Sequence, residues 1–261
     1  MKSLSRLKYI KCGSSIMDLS PVSTSNKFRR MRMQEFWNLV ETYLSKGRIC
    51  RILDLGGTIE FWRTWGSVFD LSETEIVCIN TFDQPADFVL PNVTCIKGDA
   101  CNLSQFSDST FDVVFSNSCI EHVGAWPQMS QFASEVRRVG RSYFIQTPNF
   151  WFPIEAHARM PFIHWLPDQI TYRLHMMTKT GFYPKADDVE GAMEIVEDAR
   201  LLDIRQMRTL FPDAEIQKEK FFGLTKALVA VRRKKSAVGE MGESWGEVVA
   251  NEPGREKQAA I

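Results

Sequence analysis

Five short apolar runs, separated by segments with helical spacing, constrain the fold of this chain more than any other feature. The runs lie between residues 50 and 149 and read CRILDL, EIVCIN, VTCIKGDA, FDVVFSNS and SYFIQTPN. Runs that are apolar throughout are typical of strands buried on both faces of a parallel sheet. Their alternation with helical segments predicts an α/β fold with a doubly wound parallel sheet.

The chain after residue 200 predicts two further strands that run antiparallel to each other. Residues 214–221 and 225–233 read as two strands joined through Gly223, which favours an antiparallel pair. We therefore expect a sheet that is mostly parallel, with an antiparallel last strand.

Both ends of the chain are predicted to lie outside the main domain, which we place at residues 48–235. Residues 1–47 read as a Ser-rich arm followed by a helix from Asn26 to Lys46. Residues 236–261 have little apolar periodicity, which predicts a disordered tail.

The alternation of strands and helices breaks at residues 150–184, a segment rich in aromatic residues, histidine and proline. Long insertions in compact domains tend to be lids or binding segments, so we expect an inserted lid beside the site. Its aromatic side chains either line an acceptor pocket or belong to the core.

Each of the first four predicted strands ends in residues that can bind a ligand. In chain order these strand ends are Asp54-Leu55-Gly56-Gly57, Ile79-Asn80, Gly98-Asp99-Ala100 and Phe115-Ser116-Asn117. Ligands of open α/β sheets bind beyond the carboxyl ends of the strands. A dinucleotide-binding loop would need further glycines where Thr58 and Glu60 stand, which disfavours a dehydrogenase.

Taken in this order, the strand ends resemble those of the class I S-adenosylmethionine-dependent methyltransferases, and most closely the small-molecule branch called type 11. The resemblance covers roughly residues 48 to 150, and its most specific segments are FDVVFSNSCIEHV and GDA. It implies a Rossmann-like sheet and a site for S-adenosylmethionine. The cofactor-binding residues that it implies are Asp54, Gly56, Gly57, Thr58, Asn80, Asp99, Ala100 and Ser116.

The resemblance also implies roles for these residues. Asp54 would accept a hydrogen bond from the cofactor's ammonium group or order its loop, and Gly56 would let the backbone approach closely. Asp99 and the amide of Ala100 would contact the adenine, and Ser116 would lie beside the methionine moiety.

Two departures from the family pattern bear on affinity. Thr58 and Glu60 replace glycines of the loop, and Asn80 replaces an acidic residue that grips both ribose hydroxyls. An amide can accept one hydrogen bond and donate another, but without the added strength of a charge. We therefore expect cofactor binding to survive in a weaker form.

Two pairs of polar residues are candidates for catalysis on the acceptor side. His122, next to Glu121, is either a general base or acceptor ligand, or a structural residue at a helix start. Glu155 and His157, in the inserted segment, either close over the acceptor and help remove its proton or hold the lid in place.

Metal binding is not predicted by this sequence. Metal-assisted quinone O-methyltransferases carry a carboxylate three residues before such a Glu-His pair, where this chain has Ser118. The six cysteines form no C-x-x-C pair and are predicted to be reduced residues of a reducing compartment. His164 and His175 are expected to be structural.

The leading hypothesis is methyl transfer from S-adenosylmethionine to a small-molecule or glycan-type acceptor, with oxygen favoured because Glu and His can act as bases. Two alternatives are a nucleic-acid or protein N-methyltransferase and a methyltransferase-like binding protein without activity. N-methyltransferases of that kind commonly carry an Asn/Asp-Pro-Pro-aromatic motif after strand four, where this chain has Ser116-Asn117-Ser118-Cys119.

Composition limits the partners of the chain. The 261 residues are 44% hydrophobic and 25% charged with a formal net charge of zero, so no nucleic-acid partner is expected. No run approaches the ~18 apolar residues of a membrane span. The first fifteen residues lack an apolar stretch, so we predict a cytoplasmic protein. The sequence does not indicate the oligomeric state or the acceptor's identity.

Overall fold

A computed structural model describes residues 24–45, 47–84 and 89–234. The predicted alternation of strands and helices produces one sheet of seven strands within these residues. The strands are β1 (Cys50–Leu55), β2 (Thr74–Asn80), β3 (Val93–Lys97), β4 (Phe111–Asn117), β5 (Gly140–Pro148), β6 (Glu215–Phe221) and β7 (Leu224–Arg232).

The order of the strands is β3-β2-β1-β4-β5-β7-β6. The pairs among β1 to β5 are parallel, whereas β7 runs antiparallel to both β5 and β6. The predicted fold class is therefore confirmed. The strand order reverses between β1 and β4, so the carboxyl ends of these two strands flank the crevice where ligands of such sheets bind.

Helices cover both faces of the sheet. They are α1 (Thr24–Leu44), α2 (Ile59–Trp65), α3 (Trp126–Val139), α4 (Asp168–Met177), α5 (Val189–Asp198) and α6 (Ile204–Leu210), with short 3-10 turns at Ile120–His122 and Ile163–Trp165. α1 and α2 pack on one face, with Phe36 and Trp62 fully buried. α3 and α6 pack on the other.

The inserted segment is folded and contains α4. Its first part turns back on itself, because the Glu155 amide donates to the Met160 carbonyl at 3.0 Å and the Phe162 amide to the Pro153 carbonyl at 2.7 Å. A small apolar cluster then joins the segment to α5; it consists of Ala158, Ile163, Tyr183, Ala186, Ala192 and Ile195. Its predicted role as a lid over the acceptor stays a prediction.

Three further sequence predictions concern the cysteines, the chain ends and membrane spans. The described cysteines, Cys50, Cys78, Cys95, Cys101 and Cys119, are all free thiols. Cys12, most of the N-terminal arm and the predicted tail at 236–261 lie outside the described residues. Among the helices of the described ranges, none combines the length and the apolarity that crossing a membrane requires.

Candidate active site

The loop between β1 and α2 passes directly over the side chain of Asp54. Gly56 has φ +86°, in the region that favours glycine, and its amide donates to the Ile79 carbonyl at 2.8 Å. A Cβ atom on Gly57 would lie 1.9 Å from Oδ2 of Asp54. Both glycines are therefore required by the path of the loop.

Asp54 is a buried carboxyl group with a single side-chain donor. Its side chain is 2% exposed, and Oδ2 accepts a hydrogen bond from Nε1 of Trp62 at 2.8 Å. Burial raises the pKa of Asp54 to about 7, although the bond from Trp62 works in the opposite direction. A cation placed near this carboxyl group would favour its ionised form.

Asn80 holds the loop from the end of β2. Its Nδ2 atom donates to the carbonyls of Gly56 and Gly57 at 3.2 and 3.3 Å, and its Oδ1 atom accepts from the Thr81 amide at 2.9 Å. A carboxylate has no hydrogen to donate, so an acidic residue could not hold the loop in this way. The amide at this position thus has a specific structural role.

Gln84 makes a second connection of the same kind, which the sequence did not reveal. It donates from Nε2 to the Gly57 carbonyl and accepts at Oε1 from the Ile59 amide, both at 2.9 Å. Thr58 caps the same helix end, since its hydroxyl accepts from the Phe61 amide at 3.2 Å. The first turn of α2 is thus closed by side chains of this loop and of the segment after β2.

The remaining residues predicted for the cofactor differ in exposure. Asp99 is exposed beyond the end of β3, and its Oδ1 atom accepts from the Cys101 amide at 2.8 Å. Ala100 is 8% exposed. Ser116 is fully buried, and its hydroxyl donates to the Leu55 carbonyl at 3.0 Å, which ties β4 to the end of β1. Direct contact of these residues with the cofactor stays a prediction.

Arg32 of α1 reaches the same edge of the sheet. Its guanidinium donates to both carboxylate oxygens of Glu219 at 2.6 and 2.7 Å, to Oε1 of Gln146 at 2.8 Å, and to Oδ1 of Asn117. This one side chain connects α1 with β4, β5 and β6. The sequence did not point to Arg32, because only the apolar side of α1 gives a periodic signal.

The two predicted catalytic pairs meet beyond the ends of β4 and β5. Nε2 of His122 lies 3.2 Å from Nε2 of His157, with the rings inclined at 77°. His122 belongs to the 3-10 turn after β4, and His157 belongs to the inserted segment. A metal-ligating atom of Glu121 lies within 4.8 Å of those of the two histidines.

Glu155 contacts the His157 ring at Nδ1, on the opposite side from its contact with His122. Its Oε1 atom lies 2.8 Å from Nδ1 of His157, and its Oε2 atom accepts from the amides of His157, at 2.8 Å, and of Ala158. Burial works to raise the pKa of Glu155, but these bonds and the charge of His157 lower it below its ordinary value. Glu155 is therefore an ionised partner of the imidazole.

Asp198, at the end of α5, plays the corresponding part for His122. Nδ1 of His122 lies 2.9 Å from the Asp198 carbonyl and 3.4 Å from its Oδ2, which also accepts from the Tyr183 hydroxyl at 2.9 Å. Burial opposes protonation of His122, but the bond to Asp198 and the charge of Glu121 outweigh it and raise the pKa to about 9. No sequence pattern pointed to Asp198.

Glu121 is a buried carboxylate that is satisfied on one side alone. It is 1% exposed, and Oε2 accepts from the Thr147 hydroxyl at 3.0 Å. Oε1 is buried and has no hydrogen-bond partner among the described residues. Buried polar atoms without partners are uncommon and costly, so this oxygen points to a group that the described residues do not supply.

The other two described histidines contact the protein alone. Nε2 of His164 lies 2.8 Å from the Phe150 carbonyl, and Nδ1 of His175 lies 2.8 Å from the Thr180 hydroxyl. Of the aromatic side chains predicted for an acceptor pocket, Trp151 is 62% exposed. Its part in an acceptor wall stays a prediction.

Comparison with known proteins identifies one domain in this chain. Residues 48–143, which contain β1 to β4 and α3, match the family model described as a methyltransferase domain. No curated protein matches the chain.

Solved structures of methyltransferases are similar to this chain at low sequence identity. A putative methyltransferase from an antibiotic biosynthesis pathway of Anabaena variabilis is 16% identical, with a TM-score of 0.40, over 67% of this chain and 59% of that one, less than two thirds of its length. A SAM-dependent methyltransferase from Archaeoglobus fulgidus is 12% identical, with a TM-score of 0.47, over 79% of this chain and 94% of that one.

A third structure carries ligands. It is the 1,6-didemethyltoxoflavin-N1-methyltransferase of Burkholderia thailandensis, with bound 1,6-didemethyltoxoflavin and S-adenosylhomocysteine. It is 10% identical to this chain, with a TM-score of 0.43, over 83% of this chain and 93% of that one.

Proposed function

Because residues 48–143 match a methyltransferase domain, we propose that this chain is a class I S-adenosylmethionine-dependent methyltransferase that methylates an oxygen atom of a small-molecule or glycan-type acceptor. The observation that carries this proposal is the contact between His122 and His157, each with a carboxylate-bearing residue behind its Nδ1 atom. A hydroxyl acceptor must lose a proton, and a neutral imidazole held by a carboxylate is suited to take it.

The loop after β1 supports placement of the cofactor at the ends of β1 to β4. Gly56 and Gly57 present backbone without side chains there, and the Asp54 carboxyl beneath them would become a full anion beside a bound ammonium group. When bound, S-adenosylmethionine supplies an electrophilic methyl group on its sulfonium. This chain's part is to hold it and to bring the acceptor oxygen into line.

Residues further along the edge complete this binding proposal. The exposed carboxylate of Asp99 accepts from the adenine amino group, and the Ala100 amide donates to the ring. Asn80 and Ser116 keep the loop and the strand ends in position through their bonds to backbone carbonyls. Thr58 does the same for α2 by capping its first turn.

On the acceptor side, His157 takes the proton of the hydroxyl group at Nε2. The Glu155 carboxylate accepts from Nδ1 and stabilises the imidazolium that forms, so the ring keeps its orientation throughout. His122 faces the same point from β4 and donates from Nε2 when it is protonated. An acceptor oxygen within reach of both Nε2 atoms would thus have one hydrogen-bond donor and one acceptor.

Acceptor screening with the full chain tests this proposal. Phenols, sugars and amines are incubated with S-adenosylmethionine, and products are identified by the mass of one added methyl group and by its position. The expected product is an O-methyl compound, formed by wild type and by His164→Asn but strongly reduced in His157→Asn. A methyl group found on nitrogen or carbon would contradict the assignment to oxygen.

A further inference from the structure

The Nε2 atoms of His122 and His157 lie 3.2 Å apart, close enough for both to bind one cation that sits to the side of the line joining them. We propose that Glu121, His122 and His157 form a binding site for a divalent transition-metal ion of the zinc class. This site shares both histidines with the proposed methyl transfer, but its existence does not depend on which atom of the acceptor is methylated.

The hydrogen bonds behind the two rings determine what lies between them. A backbone carbonyl can only accept, so Nδ1 of His122, 2.9 Å from the Asp198 carbonyl, carries a hydrogen. Nδ1 of His157 likewise donates to the Glu155 carboxylate at 2.8 Å. With both Nδ1 atoms carrying a hydrogen, the pair of Nε2 atoms needs one electrophile, which is either the second proton of a protonated His122 or a metal ion that takes its place.

The distance between the two nitrogens matches a metal site. Zinc binds imidazole nitrogen at about 2.0–2.1 Å, so two imidazoles on one tetrahedral ion place their nitrogens roughly 3.3 Å apart. The observed separation of the Nε2 atoms of His122 and His157 is 3.2 Å. An ion can therefore be bound by both rings with little change in their positions.

Glu121 supplies the third metal-binding side chain. It also gives separate evidence that an ion binds here. Its ligating oxygen lies within 4.8 Å of the histidine nitrogens, and its Oε1 atom is buried without a partner among the described residues. A carboxylate oxygen that coordinates an ion is satisfied by it. Three protein ligands leave a tetrahedral ion one position for a water molecule or another oxygen.

The residues behind the ligands also fit a metal site. Histidines that bind metals usually donate their other ring hydrogen to a carboxylate or a carbonyl, as His157 does to Glu155 and His122 to Asp198. Three side-chain carboxylates, those of Glu121, Glu155 and Asp198, surround the two rings. Both rings are therefore oriented from behind as metal-binding histidines are.

The donor set favours zinc over magnesium. Two imidazoles and one carboxylate are borderline donors that suit zinc, whereas magnesium prefers oxygen ligands and retains its waters. The absence of a carboxylate at Ser118 led the sequence to predict no metal. The additional ligand comes instead from His157, 35 residues beyond His122, which the inserted segment brings into place.

Zinc titration of the metal-free full chain, in competition with a chromophoric chelator, tests the site. We expect one zinc ion per chain and much weaker binding of Mg²⁺. His122→Asn and His157→Asn should each weaken zinc binding at least about 100-fold, because loss of an outer partner alone costs about 10–100-fold. Glu155→Gln should cost about 10–100-fold, and His164→Asn should bind as wild type does.

Wild type without a single zinc site, or both ligand variants binding zinc as wild type does, would overturn the proposal. Circular dichroism identifies a variant that fails to fold, and Glu155→Gln, which keeps both histidines, then provides the decisive comparison. Zinc binding needs no acceptor, so its failure would leave the proposed oxygen methylation standing. If that proposal also holds, bound zinc should inhibit turnover, because it occupies the nitrogen that takes the proton.

Discussion

Two regions at the same edge of the sheet differ in whether their polar groups already have hydrogen-bond partners. In the loop after β1, the amides of Asn80 and Gln84 satisfy the backbone of Gly56, Gly57 and Ile59 without any ligand. Beyond β4 and β5, the Glu121 carboxylate keeps a buried oxygen without a partner among the described residues, and two imidazoles meet at their Nε2 atoms.

This difference matches the two proposed roles, which are cofactor binding by the loop after β1 and reaction with the acceptor by the groups beyond β4 and β5. A loop whose hydrogen bonds are already made is rigid before the cofactor arrives, which reduces the entropy lost on binding. A buried group without a partner is costly in the free protein, and such cost is typical of places where a reacting group or an ion will be held. We therefore expect changes in the two regions to have separable effects.

The largest effect is expected from His157→Asn. The variant loses the proton acceptor, and general-base catalysis contributes about 10²–10⁴-fold to rate. We expect turnover to fall by that factor while cofactor affinity is unchanged, since the ring lies on the acceptor side. Steady-state kinetics measures turnover, and calorimetry measures cofactor binding. A loss of cofactor affinity as large as the loss of turnover would show that the two regions do not have separate functions.

Asp54→Asn is expected to change the pH dependence of stability. The pKa of Asp54 is raised from 3.8 to about 7, so the stability associated with its neutral form is present below about pH 4 and lost as the pH rises to about 7. Three pKa units correspond to about 4 kcal/mol, which is an upper bound. Asparagine stays neutral and can accept from Trp62.

Urea unfolding at pH 4, 6 and 8 measures this effect. The free energy of unfolding of the variant, relative to wild type, should rise between pH 4 and pH 7 and stay constant above. A difference that does not depend on pH would mean that Asp54 is ionised in the folded protein throughout this range.

Two glycines allow a matched pair of smaller perturbations. A Cβ atom on Gly57 would lie 1.9 Å from Oδ2 of Asp54, and one on Gly181, at φ +53°, would lie 2.3 Å from the His157 carbonyl. Each Gly→Ala variant should lower the free energy of unfolding by about 1–3 kcal/mol. Gly57→Ala should also weaken cofactor binding, whereas Gly181→Ala should reduce turnover. If Gly57→Ala reduced turnover alone and Gly181→Ala weakened cofactor binding alone, the proposed division between a cofactor region and an acceptor region would be contradicted.

The smallest effect is expected from Asn80→Asp, which restores the family-typical acid. The carboxylate would face the carbonyls of Gly56 and Gly57 without hydrogens to donate. The free energy of unfolding at pH 7 should fall by about 1 kcal/mol, the usual net value of one hydrogen bond. Unchanged stability in thermal or urea unfolding would show that the loop does not depend on this amide.

The sequence predicted the sheet well because its parallel strands are mostly apolar and end near polar residues. The expected burial on both faces fails for β3, an edge strand in which Val93 alone is buried. The five parallel strands lie where the runs were found, and the antiparallel pair at 214–233 forms around Gly223 as expected. The inserted segment was harder. α4 buries little besides Thr171 and His175, so its apolar periodicity is too weak to predict a helix.

The site was only partly predictable for a related reason. Glu155 and His157 were found as a pair because they are neighbours in the chain, but nothing local indicated that they would meet Glu121 and His122. Long-range partners on polar surfaces, such as Arg32 and Asp198, leave no periodic signal at all.

Calorimetric titration of S-adenosylmethionine into wild type, Asp99→Ala and His157→Asn tests the central claim most directly. That claim is that the ends of β1 to β4 hold the cofactor, while the histidine cluster acts on the acceptor. We predict one site in wild type, binding weakened by ~1–3 kcal/mol in Asp99→Ala, and wild-type affinity in His157→Asn. No heat of binding in folded wild type, or equal losses in both variants, would contradict it.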